Sequence, residues 1–200
     1  MEAILGTTYF GPVQWYQKLN RYDHCLVEQC DSFVKQTFRN RCMIATTAGT
    51  QMLSIPVEHG AKLMKDIKIS DHGNWRHLHW KALVSAYGES PFFEFYADDL
   101  RSFFEKKWEY LIDFNMEIMH KMAELIDFEP NVSLTTNFRK EYPEDVADFR
   151  NVIDPKHPQE DKDFEPREYY QVYKEKHGFM PNLSILDLLF NEGNETILYL

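Results

Sequence analysis

The chain has 200 residues, 44% hydrophobic and 15% aromatic, and its 22 Lys and Arg against 32 Asp and Glu give a net charge of −10. Folding buries roughly 70% of the surface of a chain this long, so global disorder is excluded. The acid excess argues against a general nucleic-acid binder, whose affinity comes from Lys and Arg neutralising phosphates.

In chain order, residues 3–10 read as a short apolar strand stopped by Gly11-Pro12. Pro12 suits the first turn of a helix, and Val13, Tyr16, Gln17 and Leu19 follow at helical spacing. Residues 24–29 read as the next strand, so strand, short helix and strand predict a parallel pair with a crossover. Residues 38–46 and 51–58 form two strand-like runs joined by Thr47-Ala48-Gly49-Thr50, a hairpin with Gly49 at positive φ. Pro56 marks a strand end or edge. Ile67-Lys68-Ile69-Ser70 alternates and predicts one more short strand.

Helical patterns then take over. Asn74 is placed to cap a helix running to Tyr87, with Ser90-Pro91 as the break. Asp98 or Asp99 is placed to cap a second helix carrying Leu100, Phe103, Phe104, Lys107 and Leu111, and Asp113 a third with Ile118, Met119, Met122, Leu125 and Ile126 on one face. Residues 132–136 give a weak strand. Residues 137–166 hold four prolines, many acids and no clear period, which predicts a long surface loop of the kind that touches ligands. Residues 182–193 form a capped helix with a Gly stop, too apolar to be free. The expected architecture is α/β, with mixed α+β as the variant: a strand-rich N-terminal half with a hairpin packed on a helical C-terminal half, in a single domain over 1–200.

Three Cys (25, 30 and 42), with no Cys-x-x-Cys pair, suit a reducing compartment. Met1-Glu2-Ala3-Ile4-Leu5-Gly6 has no signal-peptide pattern, and no run reaches the roughly 18 apolar residues of a membrane span. A cytoplasmic protein with no membrane partner is expected.

Chemistry concentrates in two places. Lys35, Arg39, Asn40 and Arg41 are the densest basic spot in the chain, suited to clamping a phosphate or carboxylate; on a strand, Arg39 and Arg41 would share one face and Asn40 the other. The alternative is a solvated strand face balanced by acids. On the helix after Asn74, the spacing of Trp75, His79, Leu83 and Tyr87 puts His79 and the Tyr87 hydroxyl on one apolar stripe. That is either a tunable general acid or base, or a satisfied core histidine. His77 and His79 point in different directions on a helix, which disfavours zinc through His72, His77 and His79. Cys30 and Cys42 flank the basic spot as weaker nucleophile candidates, and Glu28 and Asp31 suit ion pairs with the arginines. The turn at residues 178–184 offers free N–H groups, or simple capping by Asn182 or Ser184. No P-loop, Gly-x-Gly-x-x-Gly or Gly-x-Ser-x-Gly motif is present, so no nucleotide cofactor is expected.

Several spaced motifs resemble the WbqC-like family: Tyr9-Phe10-Gly11-Pro12 with Tyr16; Lys35 with Phe38-Arg39-Asn40-Arg41 and Ile44; Leu53-Ser54-Ile55-Pro56-Val57; Trp75, His79 and Tyr87; and Ser90-Pro91-Phe92-Phe93-Glu94-Phe95-Tyr96. The tail from Gly178 to Gly193 resembles the branch found in Bacteroidetes. Thr7-Thr8 stand where many members carry Gln-Pro, and Gln29-Cys30 where many carry two Asp. The family is named for a gene of a bacterial O-antigen cluster, and its members sit among surface-polysaccharide genes. The resemblance therefore implies a cytosolic enzyme of surface-polysaccharide (O-antigen or capsule) biosynthesis, a transferase of acyl or aminoacyl type acting on an activated amino or deoxy sugar. Its ligand would be small and anionic, such as a nucleotide-sugar. On this reading Tyr9, Lys35, Arg39, Asn40 and Arg41 hold the substrate and His79 with Tyr87 moves the proton. The competing expectation is a non-catalytic accessory protein that holds a pathway enzyme.

Overall fold

The computed structural model describes all residues, Met1–Leu200. Strand β1 (Glu2–Gly6), helix α1 (Val13–Arg21) and strand β2 (His24–Glu28) form the predicted parallel pair, with Ile4 opposite Leu26. Ala3, Ile4 and Leu5 are all fully buried, as a parallel strand covered on both faces requires. Two three-residue strands complete a parallel sheet in the order β5-β2-β1-β6: β5 (Val132–Leu134) beside β2 and β6 (Val146–Asp148) beside β1. Strands β3 (Arg41–Thr46) and β4 (Gly49–Ser54) make the predicted antiparallel hairpin, with Gly49 at φ 112°. The fold is thus mixed α/β, with strands mainly N-terminal and helices mainly C-terminal.

The helices are α2 (Trp75–Tyr87), α3 (Phe93–Glu105), α4 (Leu111–Ile126), a single-turn α5 (Lys174–His177) and α6 (Ile185–Glu192). One hydrophobic cluster of 43 residues runs from Ala3 to Leu200 and includes five of the eight residues of α6. The apolar tail therefore docks, as its composition demands.

Several local expectations are corrected. Arg39 and Asn40 precede β3, which begins at Arg41. Residues 67–70 make only isolated bridges, Ile69 with Val57 and Lys68 with Tyr110. Asn74 sits at φ 50° and makes no side-chain cap bond. Helix α3 starts at Phe93, two residues after Pro91, because its buried stripe already includes Phe93 and Tyr96; Asp98 and Asp99 therefore fall in mid-helix. Helix α4 starts at Leu111 behind Tyr110, so Asp113 lies in its first turn. At the C-terminal helix Ser184 is the cap, accepting from Leu186 N–H, while Asn182 accepts from Gln14 N–H. The stretch at 137–166 is largely irregular and exposed; it carries β6, too short to display a period, and buries Phe149, Ile153 and the Asp161 side chain.

Candidate functional site

The two predicted acid–base residues lie on the inward face of α2, in separate polar islands. The Tyr9 hydroxyl donates to His79 Nδ1 at 2.9 Å; Tyr9 is fully buried against the Phe114 ring, and His79 is 6% exposed against the Trp75 ring. Burial lowers the imidazole to about 4 against a smaller opposing effect of the Ser54 backbone, so the ring is neutral at pH 7 and accepts at Nδ1. Two turns on, the buried Tyr87 hydroxyl accepts from Ala45 N–H at 3.0 Å and faces Asp187. Asp187 accepts from the Tyr169 hydroxyl (2.7 Å) and the Gln171 amide (2.9 Å), and burial raises it to about 6 despite these bonds. Neither His79 nor Tyr87 lines the crevice at the carboxyl ends of the parallel strands or the cavity between α2 and α3.

The basic spot separates. Lys35 is exposed in a turn, and Arg41 is half-buried at the start of β3 with its Nε buried and unpartnered. Asn40 is buried and donates through Nδ2 to the Ile55 carbonyl at 2.8 Å. The backbone around Arg39 is held from three sides. Tyr9 N–H bonds the Phe38 carbonyl (2.9 Å), Asn115 Nδ2 the Arg39 carbonyl (2.8 Å), and Ile55 N–H the Asn40 carbonyl (2.8 Å). This fixed turn buries the Arg39 side chain, which pairs with Asp31 and lies 3.4 Å from the Thr37 hydroxyl.

Arg39 reaches a crevice at the carboxyl ends of the parallel strands. Gly6-Thr7-Thr8 leave β1, Phe149-Arg150 leave β6, and Thr37 to Arg39 cover them. Because β1 connects to β2 on one side and has β6 on the other, this is the topological switch point, where open α/β sheets bind ligands. Gly11 matters here, since a Cβ at that position would collide with the Thr8 side chain.

A second arginine, missed from the sequence, anchors the opposite wall. The Arg150 side chain is 6% exposed and pairs with Asp148 (2.6 Å) and with the fully buried Glu28 (3.3 Å). It also donates to the carbonyls of Arg139 (2.8 Å) and Lys140 (3.2 Å) and lies over the rings of Phe138 and Tyr142. Glu28 is otherwise held by Cys30 N–H (2.8 Å) and the Thr135 hydroxyl (2.7 Å). The available signal was the Asp148-Phe149-Arg150 spacing beside the apolar pair Val146-Ala147 in an otherwise polar stretch.

Three buried atoms at or beside the crevice have no partner: Arg39 Nε, Thr8 Oγ1 and Asp31 Oδ1. Buried polar groups are rarely left so, and a ligand is one remedy. Burial, with the Glu28 charge, raises the Asp31 carboxyl against the lowering effect of the adjacent Arg39. The crevice stands nearly closed, with a volume of about 20 Å³, room for one water-sized group.

Other candidates fall away from this site. No cluster of His, Cys, Asp or Glu has a metal-binding arrangement; His72 and His77 are exposed while His79 is internal. Burial raises Cys25 to about 12 and lifts Cys42 strongly, opposite to a reactive thiolate, and the half-buried Cys30 donates weakly to the Thr135 carbonyl. The Asn182 and Ser184 side chains are both engaged, on Gln14 N–H and the Phe10 carbonyl.

Residues 7–154 match the model of a family described as the WbqC-like protein family. A curated relative, "Uncharacterized protein Rv1507c" of Mycobacterium tuberculosis (strain ATCC 25618 / H37Rv), is 23% identical over 231 aligned positions, covering 99% of this chain and 96% of its own. No solved structure matches the chain.

Proposed function

The chain belongs to the WbqC-like protein family, and on that footing we propose that it acts in bacterial surface-polysaccharide biosynthesis, as a cytoplasmic group transferase holding the anionic part of an activated amino or deoxy sugar in the switch-point crevice. The observation that carries this reading is the convergence of two buried arginines, Arg39 and Arg150, on a crevice where Arg39 Nε and Thr8 Oγ1 lack partners. One phosphate or carboxylate oxygen accepts from both the guanidinium and the hydroxyl, and no neutral group of that size does so as strongly. All lining residues except Gly6 fall within the matched span. No helix is long and apolar enough to cross a membrane.

Roles follow from position. Arg39 and Thr8 bind; Arg150, whose donors are all engaged on Asp148, Glu28 and two carbonyls, fixes the opposite wall; Asp31 orients Arg39, and its raised carboxyl with one free oxygen suits it to take the proton of an attacking sugar amine or hydroxyl. Tyr9, Asn40 and His79 hold the wall that aims Arg39 and Tyr87 holds β3 through Ala45 N–H, while Lys35 and Arg41 give the approach its positive charge. The accessory-protein reading is favoured by one observation, the small volume of the crevice, which must widen to admit a sugar phosphate.

Calorimetric titration with UDP- and dTDP-linked amino sugars separates the two. Arg39→Lys keeps a cation for Asp31 but loses the Nε donor, and should weaken binding by about tenfold or more; Thr8→Val should weaken it several-fold. Wild-type affinity in both variants contradicts the site, and absence of binding by the wild type leaves the accessory reading.

A further inference from the structure

The outer ends of α2 and α3 enclose a separate cavity of about 420 Å³ that shares no residue with the crevice. Arg76 and Trp80, one turn apart on α2, meet Arg101 and Phe104 on α3, and Lys107 follows the end of α3. Three cations thus face two carboxylates, Asp71 and Glu105, in a chain with ten excess acids. Asp71 is shared between Arg76 (2.7 Å) and Lys107 (2.6 Å), and Glu105 holds Arg101 (2.7 Å).

Two independent features point to a ligand. Arg76 uses Nη1 on Asp71, but its Nε and Nη2 are buried without partners, and its guanidinium is held 4.7 Å over the Trp75 ring. Those two nitrogens form the fork that takes an oxyanion bidentately, and the side chain has to shift on the Trp75 ring to offer them to the cavity. Beside them the half-buried Trp80 ring lies 5.6 Å from Phe104, an aromatic floor inside a charged rim. Stability does not explain the rim. Arg101 and Lys107 are 57% and 79% exposed, and such pairs contribute little.

We propose that this cavity is a second binding site, for a phosphate monoester attached to a ring. Arg76, Arg101 and Lys107 take the phosphate, and the ring lies on Trp80. A hexose phosphate and a nucleoside monophosphate share this chemistry, and the volume lies in the range of small-molecule sites.

Tryptophan fluorescence titrations with glucose 1-phosphate, UMP, inorganic phosphate and glucose test it. Both monoesters should bind and be displaced by inorganic phosphate, and the tighter of the two names the source of the ring. Arg101→Glu with Lys107→Glu should lower affinity about tenfold or more at an unchanged melting temperature. Trp80→Leu should weaken the ring-bearing ligands but not inorganic phosphate. Affinity within twofold of wild type in the double variant overturns the proposal. So does binding lost in Thr8→Val but kept in the double variant, an outcome that leaves the crevice reading intact.

Discussion

Replacing Lys18 by Met will destabilise the protein by about 3–5 kcal/mol and lower its melting temperature by about 6–20 °C. Lys18 lies on α1 with no solvent exposure, and its ammonium pairs at 2.8 Å with Asp161, whose side chain is 5% exposed. Gln14 donates to the same carboxylate at 2.8 Å, and the Lys18 ammonium lies 4.7 Å over the Phe149 ring. These contacts pin the segment after β6 onto α1, and with it the crevice wall at Phe149 and Arg150. Met fills the space of Lys but leaves a buried, uncompensated carboxylate. Urea denaturation should recover most of the loss in Lys18→Met with Asp161→Leu, since an apolar pair can replace a buried ion pair. A single variant as stable as wild type would show that the pair does not hold this segment.

Stability will respond to pH through two buried groups of opposite sign. Asp187, raised to about 6, keeps a proton in the folded state that the unfolded chain releases near 3.8. Its contribution is fully present below about pH 3.8 and lost as pH rises through 6. His79, lowered to about 4, refuses a proton that the unfolded chain takes up near 6.5. Its contribution is fully present above about pH 6.5 and lost as pH falls through 4. Each is worth roughly 3 kcal/mol, and between pH 4 and 6 they nearly cancel. Asp187→Asn leaves His79 unopposed, so from pH 4.5 to 6.5 its stability should rise by roughly 2 kcal/mol more than that of wild type. His79→Gln, whose amide oxygen still accepts from Tyr9, should show a deviation of the opposite sign. Parallel pH profiles for all three proteins would refute the assignment of both groups.

What the sequence discloses and what it hides follow from locality. The β1–α1–β2 unit, the Gly49 hairpin and the capped C-terminal helix are encoded within neighbouring residues, and each forms as its pattern predicts. The four-residue spacing of His79 and Tyr87 correctly marks one face of α2, but periodicity cannot tell an inward face from a cleft wall, and both residues point inward. The basic spot is real as composition. It divides because β3 starts at Arg41, which sets Arg39 in a fixed turn before the strand. Arg150 leaves only a faint trace in the sequence because its partner Glu28 lies 122 positions away and the strand before it is three residues long. Seen in the fold, the departures Thr7-Thr8 and Gln29-Cys30 directly follow the adjacent strands β1 and β2, at the end of the sheet where the crevice opens.

A crystal structure of the protein saturated with a nucleotide-linked amino sugar tests the central claim most directly. The crevice between β1 and β6 should be widened, with a phosphate or carboxylate oxygen within hydrogen-bond distance of both Arg39 Nε and Thr8 Oγ1. Density confined to the cavity between α2 and α3, with the crevice closed and those two atoms still unpartnered, would contradict it.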